Sequence, residues 1–326
     1  MNYFPVGRAW LVLLTSFCVL HARCVELQAT DLPNILWITA EDLSPDLGCY
    51  GNSYATTPHL DQFAEQGVRY THAYATAPVC SPARSCLITG VYATSLGTQN
   101  LRSEFPIPEN IVGFPKFLRE KGYYCTNNVK TDYNTSSAPR LIKESWDESS
   151  ATAHWRDRTE GQPFFAVFNL METHQSRTSV WSFDEFEEKI GSQLAADDRH
   201  DPSQAPVPPY YPDTPIVRRT LARYYDCISV MDQQVGRILR QLEEDELADS
   251  TIVFFYGDHG AGLPRGKRTL YDTGLRVPFL LRVPQRFRDL VPVAPGSTNS
   301  RLISFVDFAP TILNLVGVDL PSYMQG

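Results

Sequence analysis

Four short and mostly apolar runs, separated by helical patterns, constrain this chain more than anything else in it. They are Asn34 to Ala40, Pro163 to Leu170, Ser250 to Tyr256 and Val277 to Val283. A run that is apolar at consecutive positions buries both faces of a strand, which requires a sheet covered on both sides. Helices are predicted between these strands. Thr57-Pro58 opens one that carries Leu60, Phe63, Ala64 and Val68, with Gly67 breaking it near its end. Phe114 to Lys121 reads as another, followed by a strand near Tyr123 to Val129. From about Pro215 to Leu247, Val217, Leu221, Tyr224, Ile228, Met231, Val235, Ile238 and Leu242 recur at alternating steps of four and three. That single stripe is a packing face, not a cofactor site. Pro310 opens a final helix with Ile312, Leu313, Leu315 and Val316. The polar, proline-rich stretch from Asp184 to Pro215 reads mostly as surface loop. The alternation predicts an α/β fold, with a mainly parallel, mixed central sheet flanked by helices on both faces.

A chain of 326 residues holds one large α/β domain or two smaller ones, and 43% hydrophobic content places it among globular proteins. Its net charge of −8 argues against a nucleic-acid binder. A local cluster of Arg and Lys can still draw an anion into a cleft. Arg8 precedes an apolar run from Ala9 to Leu20 that is too short to span a bilayer. Residues 1–24 are therefore expected to be an export signal, with Ala22-Arg23-Cys24 as its cleavage region, leaving 31–326 as the α/β domain. The protein is expected in an exported compartment (periplasm, medium or lysosome), with no stable membrane insertion. Beyond the signal lie Cys49, Cys80, Cys86, Cys125 and Cys227; an odd number predicts at least one unpaired thiol. Asn134-Thr135-Ser136 matches a glycosylation acceptor.

Two of the apolar strands end in acids: Glu41-Asp42 and Asp258-His259. In open α/β sheets ligands bind beyond the carboxyl ends of the strands. Three carboxylates at one edge are costly unless a cation sits among them, and oxygen ligands suit calcium or magnesium better than zinc. The alternative is separate loop carboxylates that cap helices or turns.

Cys80-Ser81-Pro82-Ala83-Arg84-Ser85-Cys86-Leu87-Ile88-Thr89-Gly90 is the most distinctive segment. Pro82 suits the first turn of a helix. Cys80 would then sit just ahead of that helix, where backbone N–H groups favour an anion. Arg84, one turn on, can reach back toward it. By itself the segment reads equally as a nucleophile or as a buried structural cysteine.

The segment resembles the signature of the sulfatase family, within the alkaline phosphatase superfamily, and the resemblance extends from Asn34 to about Val318. It implies that Cys80 is oxidised after translation to Cα-formylglycine by a maturation enzyme. It also implies a metal site formed by Glu41, Asp42, Cys80, Asp258 and His259, with calcium preferred over magnesium. The catalytic set it implies is Cys80, Arg84, Lys130, His174 and Lys267. Lys130 resembles the lysine of a Gly-Lys-x-His motif, with Asp132 where that motif has histidine. His174 resembles the donor of a proton to the leaving group, and Lys267 resembles a clamp on a sulfate oxygen. Taken singly, these residues read more readily as solvated lysines and a loop histidine. His59 and His72 are placed near the pocket without a role.

The family's substrates imply a sulfated sugar or polysaccharide, with a lean toward heparan N-sulfatase; iduronate-2-sulfatase and arylsulfatase types are the O-sulfatase alternative. Phosphodiester or phosphonate hydrolysis and non-catalytic binding are further alternatives. Arg102, Arg177 and Arg265 are candidates for gripping an anionic sugar. A smaller C-terminal subdomain, usual in the family, is expected to be missing or truncated.

Overall fold

The computed structural model describes Met1 and residues 32–326, so the expected export signal, Met1 apart, lies outside the described residues. The strands are β1 (Asn34–Ala40), β2 (Val68–Tyr74), β3 (Tyr124–Asn128), β4 (Glu148–Ser149), β5 (Phe164–Leu170), β6 (Thr251–Gly257), β7 (Arg276–Arg282) and β8 (Ser297–Ser304). They form one sheet in the order β4-β3-β5-β1-β6-β7-β2-β8. Its centre is parallel, while β7 runs antiparallel to both β6 and β2. The sheet is therefore mixed, as expected. β2 and β8 were not legible in advance, because their alternating or largely exposed residues lack the apolar run of the central strands.

The helices are α1 (Pro58–Gln66), α2 (Cys80–Thr89), α3 (Ala93–Leu96), α4 (Pro115–Glu120), α5 (Ala138–Ser145), α6 (Phe183–Lys189), α7 (Pro215–Glu244), α8 (Asp272–Leu275) and α9 (Phe308–Leu315). Val68, expected on α1, instead opens β2, because Gly67 takes an extended conformation. The Asp184 to Pro215 stretch is less irregular than expected: α6 occupies its start, with Ser182 accepting the Glu185 N–H at 3.1 Å.

Successive side chains of β1 point to opposite faces. Ile35 and Trp37 join one core with α2, α4, α5 and α9; Leu36 and Ile38 join a second with α1 and α7. Trp37 meets Phe165 and Tyr256 edge-on at 5.1 and 5.6 Å between ring centroids. Two filled faces explain why the central strands are apolar at every position. Among the described residues, no helix is long and apolar enough to cross a membrane.

One contact ties the second layer together. Asp232 of α7 accepts the N–H groups of His59 (3.1 Å) and Leu60 (2.8 Å), capping α1, whose own N-cap residue Thr57 does not. Asp232→Ala is expected to cost about 2 kcal/mol, because it strands buried helix N–H groups. A urea midpoint unchanged from the wild type would show this cap to be idle.

The expected sugar-attachment site is not available. Asn134 is 5% exposed; its amide donates to the carbonyls of Thr98 and Asn100, the latter at 2.7 Å, and accepts the Ser103 N–H at 2.8 Å. The five cysteines beyond the signal are all unpaired.

Candidate active site

The site follows from strand register. Ala40 of β1 lies level with Leu170 of β5 and with Gly257 of β6. Three strands thus stop together, and Glu41-Asp42, the Met171 to His174 turn and Asp258-His259 leave the sheet at one edge. The ladder continues one step further, from Glu41 N to the Leu170 carbonyl and from Asp258 N to the Ala40 carbonyl, both at 3.0 Å. Asp42 then turns into the left-handed region (φ 49°), with its N–H on Asp258 Oδ1 at 2.9 Å.

Helix α2 runs behind this edge. It begins at Cys80 itself, one residue earlier than the sequence suggested, with Val79 extended ahead of it. Pro82 does lie in its first turn. Ala83, Leu87 and Ile88 pack into the core, and Gly90 (φ 68°) stops the helix in a conformation that suits glycine. The Cys80 Sγ is 3.2 Å from His259 Nε2, 3.4 Å from Lys267 Nζ and 3.8 Å from Asp42 Oδ1.

Three cations interleave with three carboxylates. Arg84 donates to Glu41 and, at 2.8 Å, to Asn169 Oδ1, and its Nε is 3.6 Å from Asp258 Oδ2. Lys130 takes the other Glu41 oxygen and lies 3.9 Å from Asp132. Lys267 lies 2.9 Å from both Asp42 oxygens. His174 Nδ1 lies 2.8 Å from Ser176 Oγ and 3.2 Å from the Ser176 N. A His174 nitrogen, the Cys80 sulfur and oxygens of Glu41 and Asp42 all lie within 4.8 Å of one another. Glu41, Asp42, Cys80, Arg84, Lys130, His174, Asp258, His259 and Lys267 therefore lie in one constellation.

Burial and pairing compete throughout. Burial raises the Glu41 pKa, but Arg84 and Lys130 outweigh it and hold the carboxyl well below its ordinary range. Burial also pushes Asp42 up, and His259 and Lys267 bring it down to about 2. His259 is pulled down by burial and lifted above its usual value by Asp258 and Asp42. Burial, then the nearby Asp258, push the Cys80 thiol up, and it stays protonated at neutral pH.

The acidic edge suits a hard divalent cation. Asp258 Oδ2 is buried and accepts no hydrogen bond among the described residues. Ligand atoms of Asp42, Cys80, Asp258 and His259 lie within 4.8 Å of one another. A buried carboxylate oxygen without a donor is a position that a metal ion satisfies.

Several contributors were not foreseen. Asn169 orients Arg84, and its own amide donates to Asn127 Oδ1 (2.9 Å) and to the Asn128 carbonyl (3.1 Å). The signal was a lone asparagine within an otherwise apolar strand. Gln175 N–H holds Asp42 Oδ2 at 2.8 Å, a backbone contact with no sequence signature. His59 and His72 are not at the site: the His59 ring lies against Gly236 of α7, and His72 pairs with Thr71 on the exposed side of β2. Arg102 is exposed, and Arg177 stacks on Trp181 at 5.2 Å.

Comparison with known proteins accords with this geometry. The Sulfatase family model matches residues 33–140 and 124–318. The chain is 39% identical over 339 aligned positions to an ulvan-active sulfatase of Formosa agariphila, covering 93% of this chain and 55% of that protein. It is 27% identical to human N-sulphoglucosamine sulphohydrolase, covering 89% of this chain and 62% of that protein. The chain thus spans somewhat more than half the length of these relatives. A solved structure with its substrate D-glucosamine-2-N,6-O-disulfate bound shares the fold, with a TM-score of 0.67 at 19% identity over 90% of this chain and 78% of that one.

Proposed function

Because the chain belongs to the sulfatase family, we propose that it releases sulfate from a sulfated polysaccharide, with residue 80 as the nucleophile after conversion of Cys80 to Cα-formylglycine by a separate maturation enzyme. The observation that carries this reading is the position of Cys80, at the start of a buried helix and within 3.4 Å of both His259 and Lys267. An unmodified thiol there is a poor nucleophile, since burial and Asp258 keep it protonated. A hydrated aldehyde supplies an oxygen nucleophile in its place.

One hydroxyl of residue 80 gives up its proton to water as its oxygen attacks sulfur. The bond from sulfur to the sugar oxygen or nitrogen breaks, and His174 gives its proton to the departing atom. The second hydroxyl then loses its proton, sulfate leaves, and the aldehyde is restored; serine could not expel sulfate in this way. Arg84, Lys130 and Lys267 balance charge on the sulfate oxygens. Asp42 and Asp258 would hold a calcium ion, with Glu41, His259 and residue 80 in the same cluster. When bound, the ion supplies Lewis-acid stabilisation of charge on a sulfate oxygen.

The 39% identity to the ulvan-active sulfatase, against 27% to the N-sulphoglucosamine sulphohydrolase, makes ulvan the first substrate to test ahead of N-sulfated glucosamine. The test is sulfate release from ulvan and from N- and O-sulfated glucosamine oligosaccharides, beside phosphate and phosphonate esters, using protein co-produced with a maturation enzyme. Faster turnover of phosphonates than of every sulfate would transfer the site to that reaction. An unconverted Cys80 with no release from any substrate would remove the proposal.

Burial lowers the His174 pKa below 6.5. Its proton-donating form therefore fades as pH rises through that lowered value, and kcat/KM is expected to fall on that alkaline limb. His174→Gln is expected to lose the limb along with about a hundredfold or more of the rate. A limb unchanged in that variant would assign the proton to another group.

A further inference from the structure

The loop that carries Lys267 presents a second feature on its outer side. Arg265 lies exposed, and its guanidinium carbon sits 4.7 Å from the ring centroid of Tyr210 and 4.3 Å from that of Tyr271. Its side chain has no hydrogen-bonding or carboxylate partner among the described residues. The two rings are themselves 42% and 52% exposed. Arg265 is held in the left-handed region (φ 64°) by two hydroxyls, Thr269 and Thr273, each donating to its carbonyl at 2.6 Å. The backbone is thus anchored twice while the cation is left free. Tyr210 also lines a cleft of about 260 Å³ with Pro208, Tyr211, Leu263 and Gly266.

A planar cation between two exposed aromatic rings suits an anionic sugar. Ring faces take the apolar C–H surface of a pyranose, and a guanidinium with open donors takes a sulfate or carboxylate. Lys267 lies only two residues on, so the two backbone positions are within about 7 Å. Lys267 turns inward to Cys80 at 3.4 Å, while Arg265 turns outward.

We propose that Tyr210, Arg265 and Tyr271 form a subsite for a sugar unit neighbouring the one desulfated, so that the substrate is a polyanionic oligosaccharide and not an isolated sulfate ester. This rests on the sulfatase reading and adds the chain length and charge of the substrate.

The test compares matured wild type, Arg265→Ala, Tyr271→Ala and Arg265→Lys on a sulfated, uronate-containing oligosaccharide and on a small aryl sulfate, with thermal unfolding as the fold control. Arg265→Ala and Tyr271→Ala are expected to raise KM for the oligosaccharide about tenfold and to leave the aryl sulfate within about twofold. Arg265→Lys, which keeps the charge and loses the flat stack, should fall between. Equal effects on both substrates, or no effect on either, would overturn the subsite while leaving the sulfatase reading in place. If the wild type turns over neither substrate, the sulfatase reading fails, and retardation in a gel containing the oligosaccharide decides the subsite separately. Retardation lost in Arg265→Ala supports it; no retardation of the wild type, or retardation kept in that variant, overturns it.

Discussion

Replacing Cys80 by alanine is expected to lower sulfate release by about ten-thousandfold or more, because it removes the reacting atom itself. The fold should survive. Helix α2 is anchored by Ala83, Leu87 and Ile88 in the core and by Gly90 at its end, none of which depends on the sulfur. The charged neighbours are also paired without it: Lys267 has both Asp42 oxygens, and His259 Nδ1 lies 2.9 Å from the Gly260 carbonyl. Sulfate release by purified matured protein and its thermal unfolding midpoint are the two readouts. A variant that keeps turnover would place the nucleophile elsewhere; one that fails to fold would make Cys80 a packing residue first.

The second large effect is on stability. Glu41 is fully buried, and its two oxygens are taken by Arg84 and Lys130. Glu41→Ala strands two cations, of which Arg84 is 5% exposed, and is expected to cost about 3–5 kcal/mol. Glu41→Gln, similar in size, should lose most of the same amount, because charge is what is missing. Adding Lys130→Met to Glu41→Gln should recover part of it. The pH dependence has a definite sign. Arg84 and Lys130 overcome burial and depress the Glu41 pKa, so its stabilisation is complete above the ordinary 4.5 and is lost only as pH falls through the depressed value. Wild type and Glu41→Gln should therefore differ in chemical denaturation by a constant amount from neutral pH down to about 4.5, with the gap closing progressively below that and gone once pH has fallen through the depressed value. A gap that widened toward acid would contradict the pairing.

The legible and illegible parts of this protein divide along a physical line. β1, β5 and β6 were readable because burial on both faces demands an apolar residue at every step, and α7 because one buried stripe imposes its own period. β2 and β8 were not, since strands with exposed positions carry no such run. The Asn134 sequon shows the same limit from the other side. Three residues spell an acceptor, but the hydrogen bonds that consume its amide come from residues 98–103, far from it in sequence.

Residue types at strand ends and at a helix start were determined locally: acids after β1 and β6, and a cysteine with proline and arginine in one turn. Those local patterns were enough to nominate the chemistry and the family. Which acid faces which cation was decided only by the folded chain. The levelling of Ala40 with Leu170 and Gly257 places the Glu41, Asp42 and Asp258 carboxylates together. Asn169 and the Gln175 N–H then settle where Arg84 and Asp42 point. Charge pairing depends on distances of a few ångströms between segments up to 225 residues apart, as with Lys267 and Asp42, and such distances exist only once the sheet has set its register.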